Sequence, residues 1–163
     1  MPSQPNSRPA TARLAAGLMT VFACAGCLTD SDPAGADPQT LRIPTVMTAE
    51  AIEPGRWPSD RYSLNEAKIE GDRLVLEVQH GGGCKEHEYK LVVSDRFRES
   101  EPVQAEALLS HDAHGDLCKA LVHAKLEADL TPLKKRWQSQ YQRESGRIQL
   151  RLEGVDRTVV YSF

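Results

Sequence analysis

Three things are missing from this 163-residue chain, and each removes a class of function. Positive charge is not in excess. There are 20 Lys+Arg against 23 Asp+Glu, a formal net charge of −3, whereas a nucleic-acid surface needs a basic balance. No apolar run approaches the ~20 residues a helix needs to cross a bilayer. Nor is there a G-x-S-x-G elbow, a phosphate-cradling P-loop or an H-E-x-x-H helix, so no familiar catalytic pattern is assembled. Glu86-His87-Glu88 and Ser110-His111-Asp112 do set base beside carboxylate, and Ser110 beside His111 is the one candidate hydrolase nucleophile. In a strand, however, adjacent side chains point to opposite faces, so these neighbours make no dyad unless a turn brings them together. The expectation is a protein that is not an enzyme, with an unrecognised hydrolase as the least favoured alternative.

What the chain does have is a processed N-terminus. Arg8 and Arg13 precede the uncharged twelve-residue segment Leu14–Ala25, and Cys24-Ala25-Gly26-Cys27 follows. A cationic start, a short apolar core and small residues at its end make residues 1–26 a secretory signal peptide. The final four residues resemble the lipobox of bacterial lipoproteins, in which the last Cys is lipidated and becomes the mature N-terminus. The match departs at its first position, where Cys24 stands for the usual aliphatic. Cysteine parity favours lipidation of Cys27 over plain cleavage after Ala23-Cys24-Ala25. Lipidation leaves Cys84 and Cys118 as an even pair, whereas cleavage leaves three thiols in an oxidising compartment.

Loss of residues 1–26 removes Arg8 and Arg13 and no acid, leaving 18 Lys+Arg against 23 Asp+Glu, a net charge of −5. An acidic domain is not drawn to an anionic bilayer, so membrane attachment must come from the lipid. Residues 27–58 read as the lipidated Cys and a flexible tether. Pro33, Pro38, Pro44, Pro54 and Pro58, with Asp30, Asp32 and Asp37, bury too little to offset chain entropy. The short apolar run at Ile43, Val46 and Met47 is the one part able to dock on a domain. The expected location is the cell envelope. Leu28 after Cys27 is compatible with the outer membrane, by analogy with lipoprotein sorting in enteric bacteria.

Residues 59–163 change to a period of two. Leu74/Leu76/Val78, Tyr89/Leu91/Val93, Val103/Ala105/Ala107/Leu109, Ile148/Leu150/Leu152 and Val159/Tyr161/Phe163 alternate with polar neighbours. So do Cys118 to Leu130 on their even positions, and a weaker strand at Ala67 and Ile69 runs into a Gly71-Asp72 turn. Seven short strands predict a mainly β fold. The form is an antiparallel, immunoglobulin-like β-sandwich or small barrel with one solvated face per sheet. One segment breaks the period. Thr131 as N-cap and Pro132 at the first position open a short amphipathic helix near 132–143. Leu133, Trp137 and Tyr141 fall on its apolar side, with Gly146 near its end. Those rings are read as core rather than as a ligand platform.

The remaining chemistry sits in His80-Gly81-Gly82-Gly83-Cys84-Lys85-Glu86-His87 and His111-Asp112-Ala113-His114-Gly115-Asp116-Leu117-Cys118. Following the strands up and down places both stretches at one pole, with His123 about 16 Å away along its strand. Two readings compete there. A Cys84–Cys118 disulfide would staple two loops, contributing roughly 3–4 kcal/mol by chain entropy. The three glycines then permit positive φ and close approach. Alternatively Cys84-x-x-His87, His111-x-x-His114 and Cys118 hold zinc. If the thiols are oxidised, His80, His87, His111 and His114, with Asp112 or Asp116, are left as an imidazole site for zinc or copper.

Beyond the lipobox, the GGGC-x-x-H run with a later D-x-C at a strand start resembles uncharacterised bacterial lipoprotein domains of the NigD-like group, over about residues 60–163. The resemblance implies a cysteine-stapled β fold and no known activity. The sequence therefore predicts a lipid-anchored envelope module that binds another protein or polymer, with periplasmic metal binding as the alternative.

Overall fold

The computed structural model describes residues 40–163 except Ala51 and Pro54, so the signal segment and Cys27 lie outside the described residues. Among the described residues nine strands and one helix follow in order. They are β1 (Thr40–Ile43), β2 (Thr45–Thr48), β3 (Ser63–Glu70), β4 (Arg73–Gly82), β5 (Glu88–Ser94), β6 (Val103–Asp112), β7 (Ala120–Asp129), α1 (Thr131–Tyr141), β8 (Arg147–Glu153) and β9 (Arg157–Ser162). They form two open sheets, β1-β7-β4-β3 and β2-β5-β6-β8-β9. Neither closes on itself, so the sandwich rather than the barrel is the fold.

The period-two residues are the ones that face inward. Leu74, Leu76 and Val78 of β4 and Leu126 and Ala128 of β7 meet Leu91 and Val93 of β5, Ala105, Ala107 and Leu109 of β6, and Ile148, Leu150 and Tyr161 beyond. All are almost fully removed from water. Each large aliphatic so buried contributes roughly 1.5–3 kcal/mol, which is why alternation alone selects the face. Gly71-Asp72 closes the β3–β4 hairpin between the paired Glu70 and Arg73, with Gly71 at φ 60 as such a turn requires.

Three features differ from expectation. First, the sheets are mixed rather than antiparallel: β1 pairs with β7, β2 with β5 and β6 with β8 in parallel. A parallel neighbour needs a crossover connection, and between β6 and β8 it is made by β7 in the other sheet followed by α1, which carries the chain back to β8. Second, residues 40–48 are not tether. They are two edge strands divided at Pro44, one added to each sheet, with Leu91 N–H donating to the Pro44 carbonyl at 2.9 Å. Ile43 is buried and Met47 packs on the core, so the short apolar run docks as far as its length allows. Pro44 falls in the gap, where no ladder N–H is required of it and only its carbonyl is used.

Third, α1 starts one residue earlier than expected and its cap is displaced. Leu130, fully buried, occupies the N-cap position without a side-chain bond. Asp129 Oδ1 instead accepts the Thr131 N–H at 2.8 Å. The left-handed residue at the C-terminus is Gln142, at φ 54, not Gly146. Gly146 serves the packing instead, since a Cβ there would overlap the Trp137 ring. Trp137 is buried and packs on Tyr141 and Phe163, which answers the question of a ligand platform in favour of core.

Candidate functional site: a buried histidine cluster behind the disulfide

At one end of the sandwich the inward rows stop being apolar. The β4 row Leu74-Leu76-Val78 continues into His80, the β6 row Ala105-Ala107-Leu109 into His111, and the β5 row runs back from Tyr89 to His87. The three imidazoles thus come from both sheets and meet where the hydrophobic core ends. His80 and His111 are 6% and 1% exposed, and the His87 side chain 5%. Their ring centroids lie 4.2 to 5.2 Å apart. Tyr89 stacks flat on His111 at 4.5 Å, and its buried hydroxyl has no hydrogen-bond partner among the described residues.

Each ring is oriented by its outer nitrogen. His111 Nδ1 faces the Asp60 carbonyl at 3.1 Å, His80 Nδ1 the Gly81 carbonyl at 2.9 Å, and His87 Nε2 the Asp116 carboxylate at 3.4 Å. Carbonyl and carboxylate oxygens only accept, so in each case the imidazole nitrogen is assigned as the N–H donor. The nitrogens left over are His80 Nε2, His87 Nδ1 and His111 Nε2. The last two are 2.8 Å apart. Nitrogen atoms of the three rings lie within 4.8 Å of one another. Burial pushes the His111 pKa below its ordinary value, with the neighbouring His80 and His87 acting in the same direction.

Cys84 and Cys118 form a disulfide with Cα atoms 5.9 Å apart, so no thiolate is left for zinc. The staple holds the loop that orients His87. Asp116 Oδ2 accepts the N–H groups of Cys84 and Lys85, and Oδ1 that of Cys118, all at 2.9 Å. These backbone donors, Cys118 first and then Cys84 and Lys85, hold the Asp116 carboxyl well below the usual carboxylate range. Gly82, at φ 133, is the glycine that the arrangement requires. A Cβ there would lie 2.7 Å from His87 Nε2 and 2.9 Å from Asp116 Oδ2.

The other sequence candidates separate from this cluster. His114 sits three residues past His111 in a left-handed turn at φ 51. It is exposed, with Nδ1 donating to the Glu86 carbonyl, near Glu88 and Asp112. It is therefore not a fourth member. His123 lies outside, against Gln79. Ser110 Oγ donates to the Pro58 carbonyl at 2.9 Å rather than to a histidine. Asp60 and Tyr89 join the site without a motif to mark them, and only the Tyr89 parity with His87 signals either from sequence. A cleft of about 300 Å³ opens beside the cluster, lined by His80, His87, Tyr89 and Lys85 among others, with the exposed His123 on its wall.

No family model matches the chain, and no curated protein sequence does. Solved structures do match. A NigD-like immunity protein from Bacteroides caccae is similar at TM-score 0.50 and 19% identity, over 74% of this chain and 59% of that one. A protein of unknown function from Bacteroides vulgatus follows at TM-score 0.46 and 12% identity, over 77% and 57%. A candidate lipoprotein from Bacteroides fragilis aligns at TM-score 0.49 and 10% identity, over 75% and 70%. The chain spans less than two thirds of the first two proteins. At these identities the likeness is one of fold, shared with the group that the GGGC run resembles.

Proposed function

We propose that this protein is an exported, non-catalytic module, anchored in the cell envelope by lipid on Cys27, whose sandwich binds another envelope protein or polymer. The observation that carries this reading is the Cys84–Cys118 disulfide. Such pairs persist in oxidising compartments, and an exported chain with two cysteines beyond Cys27 accounts for both. The signal-like Leu14–Ala25 segment and the CAGC run point the same way. An immunity protein among the similar folds is compatible with a recognition role and carries no specific partner across. Leu28 directs the anchored protein to the outer membrane in this reading.

The test is labelling with radioactive palmitate, with fractionation of cells making the native chain or Cys27→Ser. The native protein takes label and pellets with membranes, and the variant is unlabelled and soluble in the periplasm. A native chain that is unlabelled and cytosolic, with free Cys84 and Cys118 thiols, would overturn the proposal.

A further inference from the structure

We infer that His80, His87 and His111 form a three-imidazole centre for a divalent transition-metal ion, zinc or copper, at the floor of the cleft. Burying one polar ring requires a partner, and burying three against each other requires a reason. Here every outer N–H is already committed, to the Asp60 carbonyl, the Gly81 carbonyl and the Asp116 carboxylate. That is the arrangement in which ligating imidazoles are held by outer partners that fix tautomer and ring direction. The inner nitrogens of His87 and His111 then turn lone pairs toward each other at 2.8 Å. Two lone pairs that close demand a cation between them, either a shared proton or a metal ion.

Between His87 and His111 the geometry asks little movement. A zinc ion with Zn–N bonds of about 2.0–2.1 Å spaces tetrahedral ligand nitrogens about 3.3 Å apart, so His87 and His111 need open by only about half an ångström. His80 closes the triad from the opposite sheet, its Nε2 having no hydrogen-bond partner among the described residues. The ligands are all nitrogen, which suits zinc and copper over calcium or magnesium. His80 and His87 line the cleft, so an ion enters past them and keeps one coordination position toward solvent. The exposed Glu88, Asp112 and His114 group has no such buried, oriented set and is not part of the centre.

The experiment uses the full mature protein with its disulfide intact, stripped with chelator and titrated with Zn²⁺ and, separately, Cu²⁺. One ion per chain is expected, with copper tighter by the usual affinity order. The neutral changes His80→Gln and His87→Gln each weaken binding by more than the roughly 10–100-fold an outer partner costs. His114→Gln leaves binding unchanged. A second measurement needs no variant: imidazole nitrogen resonances of His80, His87 and His111 shift on adding Zn²⁺, while those of His114 stay in place. Absence of saturable binding by the folded native protein, or equal loss in His114→Gln, would overturn the assignment.

Discussion

The two ends of this sandwich use the same device for opposite purposes. At the helix end, Gly146 is pressed against the Trp137 ring, which is packed by Tyr141 and Phe163. At the disulfide end, Gly82 is pressed against His87 and Asp116. In both places a missing Cβ lets backbone approach a buried ring. The rings at the helix end bury mostly carbon, which outweighs the one unpaired indole N–H of Trp137 and explains their burial. The rings at the other end are imidazoles, which stabilise a core less than a leucine would and need hydrogen bonds to be there at all. A stabilising end and a costly end within one small domain mark the costly one as the site.

The contrast breaks most visibly with Trp137→Ala. Removing a buried tryptophan is expected to cost about 3–5 kcal/mol, read as a lower urea midpoint, while Zn²⁺ affinity of the still-folded protein stays as in the native chain. The converse is removal of the staple by Cys84→Ser with Cys118→Ser. That costs roughly 3–4 kcal/mol for a loop of this size and also frees the Asp116 loop that aims His87. Stability and metal affinity should therefore fall together, measured by urea unfolding and by titration on the same sample. If Trp137→Ala also moved both properties, the two ends would not be separate.

The sequence carried much of this division and hid the rest for identifiable reasons. Alternation marks Leu74/Leu76/Val78 and Val103 to Leu109 as inward rows. Extending the same parity two residues further reaches His80 and His111 and passes over His114. Grouping four histidines by loop end rather than by strand face is what admits His114. The pole itself follows from counting strand directions, because loop ends survive even when sheet partners are unknown. Partners were not legible. Thr40–Thr48 reads as tether because Pro44 and its neighbours make poor strands alone, and only the open edges of β5 and β7 give them a ladder. Asp60 is equally silent in sequence, since its role is a backbone carbonyl placed beside β6 by the 58–60 segment.

Gly82→Ala sharpens the comparison with a smaller change. The new Cβ meets His87 Nε2 at 2.7 Å in a left-handed backbone that disfavours any side chain. Overpacking of this kind costs about 1–3 kcal/mol, and it displaces the ring that must present Nδ1. Zn²⁺ binding should weaken by roughly tenfold or more, whereas Gly146→Ala, its counterpart at the helix end, should lower the urea midpoint and leave the titration unchanged.

The smallest effect is electrostatic, and it separates the ends by pH and salt. Asp72, at the helix end, is held below its ordinary value by the Tyr161 hydroxyl at 2.6 Å and then by Lys134. Asp116 is held lower still, by backbone N–H groups. A carboxyl depressed in the folded state contributes stability above its unfolded value, about 3.9 for Asp, and loses it as pH falls toward the folded value. The share of stability that these two carboxyls contribute should therefore be flat near neutrality and decline below about pH 4, the Asp72 share being exhausted first and the Asp116 share continuing to fall at lower pH. The Asp72 side chain is 44% exposed, so its pairing with Lys134 is open to screening. Asp116 is 1% exposed and satisfied by fixed dipoles. Added salt should shift the upper part of the acid limb and spare the lower part. Asp72→Asn makes the upper part shallower and leaves the lower part, whereas Asp116→Asn makes the upper part shallower and removes the lower, each read from urea midpoints across the acid range. A limb that moved as one piece under salt would mean that Asp116 depends on mobile charges rather than on the loop the disulfide holds.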